Sequence, residues 1–262
     1  MGTSQPDTGA AIAAVETSPH LPPPPVRLRQ PALFLDLDGV LAPLAETPDA
    51  VVPLPRRTRV LREAARRFEG RVAIVSGRTL AEIDRISDAA LDAASGVHGL
   101  ERRRADGSLH RIEPAAGVRR AVEAFEAFAR ATPGVIVEDK MVSAGLHFRQ
   151  AKAAGDEAMD LARRLAEETG LVMQPGNLVV ELKTPGTDKG TAVAAFMEEP
   201  PFAGARPVML GDDLTDEHGF RAAELLGGFG VLVGPPRETA ARYALPDVDA
   251  VLDWLERLQE AA

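Results

Sequence analysis

The chain has 262 residues, 30 Lys plus Arg against 39 Asp plus Glu, 45% hydrophobic residues and no cysteine. That is enough apolar material for one large domain or two smaller ones, while the missing cysteine excludes disulfides, thiolate nucleophiles and Cys-held zinc or iron-sulfur sites. A formal charge of -9 argues against a nucleic-acid partner, no run approaches the roughly 18 to 20 apolar residues of a membrane span, and Gly9 to Val15 is short with no Lys or Arg before it, so a cytoplasmic protein without a membrane partner is expected.

Residues 1-30 are rich in Pro, Ala, Ser and Thr and include the run Pro22 to Pro25, which favours extended polyproline II and reads as a disordered tail. From Ala32 short apolar runs alternate with amphipathic segments, the pattern of β-α units and a parallel sheet. Ala32 to Leu35 and Val72 to Val75 read as buried strands, followed by helices through Val60, Leu61 and Ala64 and through Leu80, Ile83 and Ile86. Asp106-Gly107 reads as a hairpin turn. In the middle of the chain a helix over about 118-131 leads into strands near 135-139 and 143-149. A second helix, about 155-169, leads into strands at 171-174 and 178-183. This helix-strand-strand unit, used twice, reads as an α+β insertion in an α/β chain. Alternation then resumes with a helix from Lys189, strands at 207-210 and 229-233, and a closing helix over 249-260. The expected layout is a discontinuous core of residues 31-105 and 184-262 with a second domain, 106-183, over it.

Four segments carry candidate chemistry. Asp36-Leu37-Asp38-Gly39 follows a buried strand, where residues two apart project to one side and share one space. Paired acids there suit metal binding or acid/base work, and an Asp-Gly turn capping its own amides is the plainer alternative. Ser76-Gly77-Arg78 follows the next strand and is read as opening a helix, where its hydroxyl and amides can hold a phosphoryl oxygen or Ser76 can be an ordinary N-cap. Lys189 stands in a first helical turn, where a cation opposes the macrodipole and wants a reason. Gly211-Asp212-Asp213-Leu214-Thr215-Asp216-Glu217 packs four acids into six residues, a crowding that a divalent cation would relieve. Some of these acids can instead charge the following helix. All four segments fall at one edge of one sheet, where open α/β sheets bind ligands.

In that order, Asp36-Leu37-Asp38-Gly39, Ser76, Lys189 and Gly211-Asp212-Asp213 resemble the four motifs of the haloacid dehalogenase (HAD) superfamily of phosphatases. The resemblance implies a Rossmann-like α/β core with a parallel sheet and an inserted α+β cap of the C2 type. Within the superfamily, Val75-Ser76-Gly77-Arg78, His98-Gly99-Leu100-Glu101, Glu138-Asp139-Lys140 with Ser143, His147-Phe148-Arg149, Val180-Glu181 and Asp188-Lys189-Gly190 are similar to the signatures of trehalose-6-phosphate phosphatases. Val40 departs from the family's usual threonine.

That resemblance implies roles. Asp36 would be the nucleophile, forming an aspartyl-phosphate, and Asp38 the acid and then the base. Ser76, Gly77, Arg78 and Lys189 would hold the phosphate. Mg²⁺ would be bound by Asp36, Asp38 (through its carbonyl) and Asp212, with Asp213 and Asp216 behind them and Asp213 supporting Lys189 or the metal. Glu138, Lys140 and Glu181, with His98, Glu101, His147 and Arg149, would read the sugar. Another C2-capped sugar-phosphate phosphatase or a phosphomutase shares the same core motifs. A silent regulatory module would have no need to keep Asp36, Asp38, Lys189 and Asp212. The chain has no room for a fused glycosyltransferase domain, so a separate trehalose-6-phosphate synthase is expected to make the substrate.

Overall fold

The computed structural model describes residues 21-45 and 47-261, so the readings of residues 1-20, Gly9 to Val15 among them, lie outside the described residues. From Leu21 onward the proline-rich segment belongs to the fold, which corrects the expected boundary at residue 30. Proline lacks an N-H but keeps a carbonyl, and these carbonyls are used. Pro22 accepts from the Ala244 amide at 3.0 Å, and Pro25 accepts from the Trp254 indole at 3.1 Å. Two residues further on, Arg27–Leu28 (β1) pairs in parallel with Gln259 and Glu260 at the far end of the chain.

Pro31–Leu35 (β2) is buried throughout. Its alternate side chains feed two layers, Leu33 and Leu35 packing with Val60, Leu61, Ile83 and Trp254, and Ala32 and Phe34 with Phe196, Phe202 and Phe220. A strand covered on both faces reads as an unbroken apolar run, as this one does. Pro55–Arg67 (α1), Val72–Val75 (β3), Leu80–Ser87 (α2) and Ala93–Gly96 (β4) continue the alternation. Glu101–Arg103 (β5) and Leu109–Arg111 (β6) then form a hairpin around Asp106-Gly107, antiparallel to β4. The turn at Asp106-Gly107 is as expected, but it belongs to the core sheet, so the boundary at residue 106 is corrected to beyond β6. Short charged strands of this kind persist through nonlocal support. Arg102 is buried, forms a bidentate pair with Glu199 at 2.9 and 3.0 Å, and lies over the Phe196 ring.

The middle of the chain forms its own sheet and core. Gly117–Ala131 (α3), Ile136–Asp139 (β7), Ser143–His147 (β8), Gly155–Thr169 (α4), Val172–Gly176 (β9) and Val179–Lys183 (β10) make the twice-used helix-strand-strand unit. The four strands are antiparallel in the order β7-β8-β10-β9, and α3 and α4 bury Phe125, Ala158, Ala162 and Leu165 against Leu146 and Val180. The second half of the core continues with Lys189–Met197 (α5), Arg206–Gly211 (β11), Asp216–Leu225 (α6), Phe229–Val233 (β12), Tyr243–Leu245 (β13), Val248–Arg257 (α7) and Gln259–Glu260 (β14). The closing helix is shorter than expected, because Leu258 turns extended and buries itself while β14 pairs with β1.

The large sheet runs β13-β12-β11-β2-β3-β4-β5-β6 and is parallel from β13 to β4. Its order reverses at β2, since β3 and β4 build outward on one side and β11, β12 and β13 on the other. Such a switch point opens a crevice beyond the carboxyl ends of the strands. This is the α/β arrangement expected, and it sets Asp36, Ser76 and Asp212 at neighbouring strand ends.

Candidate active site

A cleft of about 210 Å³ opens beyond β2, β3 and β11 and is lined by Asp36, Asp38, Ser76, Gly77, His98, Lys189, Asp212 and Asp213 from the core and by Arg149, Gln174, Asn177 and Glu181 from the middle segment. At its floor the buried Lys189 ammonium stands 2.8 Å from Asp36 Oδ2 and 2.7 Å from Asp216 Oδ1. This accounts for a lysine in a first helical turn. Asp188 takes the N-cap of α5, with a capping box to Thr191, and Lys189 is free to turn inward onto two carboxylates. Burial alone would lower its pKa, but the attraction of Asp216 and Asp36 outweighs this and raises it.

Asp216 therefore holds Lys189, one of the two roles expected of Asp213. Asp216 is fully buried at the start of α6, and its second oxygen accepts the amides of Asp212 and Asp213 at 3.1 and 3.0 Å. Asp213 instead caps the Leu214 amide with its side chain, while its carbonyl accepts from Arg237, which also pairs with Glu217. The division comes from chain direction. A residue beginning the helix looks back over the loop, whereas one inside the loop caps its neighbour.

Asp36, Asp212 and Asp216 bring carboxylate oxygens within 4.8 Å of one another, an arrangement able to hold a metal ion. Asp36 and Asp212 line the cleft and Asp216, fully buried, does not, so Asp36 and Asp212 are the accessible donors. Their electrostatics fit a cation. Burial, with Asp216 and Asp212 nearby, pushes Asp36 well above the usual carboxylate range despite Lys189. Burial, then Asp216 and Asp213, push Asp212 up to about 7. At Gly39 (φ +74°) a Cβ would stand 2.1 Å from Asp212 Oδ2, so glycine there clears the space Asp212 fills. Oxygen-only donors of this kind suit a hard divalent cation.

The loop after β3 differs from expectation. Thr79, not Ser76, caps α2, in a capping box with Glu82, so the Ser76 hydroxyl at the cleft wall is spared from capping the helix. Nor does Arg78 line the cleft. It sits in an adjoining recess of about 200 Å³ and makes a bidentate ion pair with Asp38, Nε to Oδ2 at 2.7 Å and a terminal nitrogen to Oδ1 at 2.8 Å. The sequence offered no sign of this pair, whose members stand forty positions apart.

The recess also gathers Glu138, Lys140, His147 and Glu181. Strand register explains the grouping. Glu138 and Glu181 both face Gly145 across β8, and Gln174 faces Glu181 from β9, so they form one polar row across a single sheet face. Lys140 lies 3.5 Å from Glu181 and 3.6 Å from Glu138, and donates to the Gly77 carbonyl at 3.0 Å. Glu181 also accepts from Ser143 at 2.5 Å. Burial would raise Glu181, but Lys140, with the nearby His98 ring and the Ser143 hydrogen bond, drives it far below the carboxylate range. His147 contacts Glu138 at 2.9 Å.

His98 stands between cleft and recess. It is buried, its Nε2 is 2.7 Å from Gln174 and 3.5 Å from Glu181, and it comes after Val97 in left-handed backbone, with φ values of 53° and 46°. Burial lowers its pKa despite Glu181, so it meets Gln174 and Glu181 as a neutral ring. Glu101 lines neither cavity, which corrects its expected place. Its carboxylate accepts from the Leu80 amide at the start of α2 and pairs with Arg111. Arg149 reaches the cleft, donating to the Asn177 carbonyl at 3.0 Å. Gln174 and Asn177 escaped the sequence reading, and the one signal for them was polar residues in a strand and turn next to Glu181.

A family model described as Trehalose-phosphatase matches residues 34-249. Over 233 residues the chain is 40% identical to the trehalose-6-phosphate phosphatase of Escherichia coli (strain K12), covering 88% of this chain and 87% of that protein. It is 38% identical over 223 residues to a probable trehalose-phosphate phosphatase of Sinorhizobium fredii, covering 84% of each. Two solved structures share the fold. The C-terminal domain of Candida albicans trehalose-6-phosphate phosphatase aligns with a TM-score of 0.78 at 21% identity, over 90% of this chain and 97% of that one. A HAD-superfamily phosphatase from Bacteroides thetaiotaomicron aligns at 0.59 and 20% identity, over 87% and 93%.

Proposed function

Since the chain belongs to the trehalose-phosphatase family and shares the fold of a HAD-superfamily phosphatase, we propose that it is a phosphoric monoester hydrolase converting trehalose 6-phosphate to trehalose and inorganic phosphate. The observation that carries this reading is the meeting of Asp36, Lys189 and Asp212 at the floor of a cleft whose opposite wall bears Glu181 and Gln174.

Asp36 attacks phosphorus through a carboxylate oxygen, and the bond to the sugar oxygen breaks as Asp38 delivers a proton to it. An alkoxide leaves poorly without that proton. Asp38, now a base, takes a proton from water, which attacks the aspartyl-phosphate and releases phosphate and the free Asp36 carboxylate. Lys189 offsets negative charge on Asp36 and the phosphoryl group, and Ser76 with the neighbouring amides donates to phosphoryl oxygens. Mg²⁺ is the cation that suits Asp36 and Asp212, with the Asp38 carbonyl as a further donor, and when bound it supplies positive charge at the phosphoryl oxygens. The sugar is uncharged and dense in hydroxyls, and the row of Glu138, Lys140, Glu181 and His147, with Arg149 and His98, offers donors and acceptors held in place by one another. A separate synthase supplies the substrate, and a cytoplasmic location belongs to the same reading. Among the described residues no helix is long and apolar enough to cross a membrane.

The test is phosphate release from a panel of sugar phosphates, with and without EDTA. Trehalose 6-phosphate is expected to turn over best and EDTA to abolish release; a better substrate elsewhere in the panel, or indifference to EDTA, overturns the substrate or the metal respectively. Glu181→Ala is expected to cost about 10²-fold in kcat/KM on trehalose 6-phosphate and far less on p-nitrophenyl phosphate, whereas equal losses would remove Glu181 from the sugar site.

Cation binding should also depend on pH. With Asp212 pushed up to about 7 in the metal-free protein, a proton must leave before the carboxylate can ligate. Mg²⁺ affinity is therefore expected to fall as pH drops from 8 to 6, by at least roughly tenfold per unit once below 7, Asp36, which burial also pushes up, adding to the slope. Titration calorimetry in two buffers of different ionisation enthalpy would record the released proton, and an affinity flat across this range would contradict it.

A further inference from the structure

We propose that Arg78 is a positioning residue that orients the Asp38 carboxylate toward the leaving group, and not a ligand of the phosphate. The inference rests on the reading of Asp36 and Asp38 as nucleophile and acid/base. It begins with geometry. Two nitrogens of one guanidinium meet the two oxygens of one carboxylate at 2.7 and 2.8 Å, and such a fork fixes the plane of the carboxylate as well as its position. A single contact would leave it free to rotate.

The guanidinium is itself braced. Its remaining terminal nitrogen donates to Glu82 Oε1 at 3.1 Å. Glu82 is held through its other oxygen, which accepts from the Thr79 amide at 3.0 Å and the Thr79 hydroxyl at 2.8 Å. These bonds belong to the capping box at the start of α2. A rigid line thus runs from the first turn of α2 through Glu82 and Arg78 to Asp38. The Gly77 carbonyl beside it is fixed from the opposite side by Lys140 at 3.0 Å.

Placement separates the two roles. Asp36, Lys189 and Asp212 share the cleft where a phosphoryl group meets the nucleophile, whereas Arg78 lines the recess with Glu138, Lys140 and His147, and Asp38 lines both. Asp38 stands at the junction, where the bond between phosphorus and the sugar oxygen would lie. Burial would lower the Arg78 pKa, but Asp38 and Glu82 outweigh it and keep the side chain charged. Among the described residues its guanidinium meets the Asp38 and Glu82 carboxylates on the recess side.

A residue that aims the acid matters most when the leaving group needs a proton. An alkyl oxygen does; p-nitrophenolate departs as a stable anion. In Arg78→Ala, kcat on trehalose 6-phosphate is expected to fall about tenfold further than kcat on p-nitrophenyl phosphate, general acid catalysis contributing typically 10² to 10⁴. Inhibition by orthovanadate, which reports on the phosphate pocket, should stay within about threefold of wild type. Arg78→Lys keeps the charge without the fork and is expected to show the same skew, so the proposal stays testable even if the alanine variant folds poorly. Glu82→Gln loosens the brace and should move the ratio the same way by less. Equal losses on both esters with weakened vanadate inhibition would make Arg78 a phosphate ligand and overturn the proposal, as would unchanged ratios in both Arg78 variants. If wild type prefers another sugar phosphate, the substrate reading fails alone, and the ratio is taken with that ester.

Discussion

Asp36→Asn is expected to lower phosphate release by about 10⁴-fold or more, with KM little changed, because an amide cannot accept the phosphoryl group while its shape and most of its contacts persist. The effect is large because no neighbouring acid can substitute. Asp216 is fully buried and does not line the cleft, and Asp38 is held in the Arg78 fork. Asp212 is itself needed for the cation. Stability should move little or even rise in the metal-free protein, since Asp36 is a buried carboxylate pushed upward by burial and by the acids beside it. Acid-quench trapping of labelled phosphate on the protein would complete the test, with label on wild type and none on the variant. Undiminished turnover in Asp36→Asn would end the aspartyl-phosphate reading.

The sequence made the site's frame legible because three of the four core motifs directly succeed a run apolar on both faces, the Lys189 motif being the exception. Ala32 to Leu35, Val72 to Val75 and Pro207 to Leu210 could only be central strands, and the residues just past the carboxyl end of a central parallel strand lie at the ligand edge. The twice-used helix-strand-strand unit was legible for the same reason, through helical and alternating periodicities that local sequence carries. What escaped was nonlocal. The strands at 27-28, 101-103, 109-111 and 259-260 are two or three residues long and exist through their partners, such as Arg102 on Glu199 or β14 on β1. Side-chain pairing escaped likewise. Spacing alone could not tell whether Asp213 or Asp216 faces Lys189, since this depends on where α6 begins. Glu101 drew attention as part of a motif, yet its carboxylate serves the start of α2.

Lys189→Met carries the second large effect, on folding and activity together. The ammonium is 2% exposed and is shared by Asp36 and Asp216. Removing one partner of a buried pair leaves an uncompensated charge, typically about 3 to 5 kcal/mol, and for a chain of this size each kcal/mol shifts the midpoint by about 2 to 4 °C. Melting is therefore expected to fall by roughly 6 to 20 °C at pH 8 without metal. Asp36, already pushed up by burial and freed of the Lys189 charge that holds it down, regains stability by taking up a proton, so the deficit against wild type should shrink as pH falls from 8 toward 6. Added Mg²⁺ should shrink it as well, by returning positive charge to the same oxygens. Phosphate release should remain at least about 10²-fold below wild type even in saturating Mg²⁺, because the charge beside the phosphoryl group is lost. Scanning calorimetry across this pH range, with and without the cation, separates the outcomes. A variant melting with wild type at pH 8 would mean that the Lys189 ammonium does not stabilise the buried carboxylates beside it.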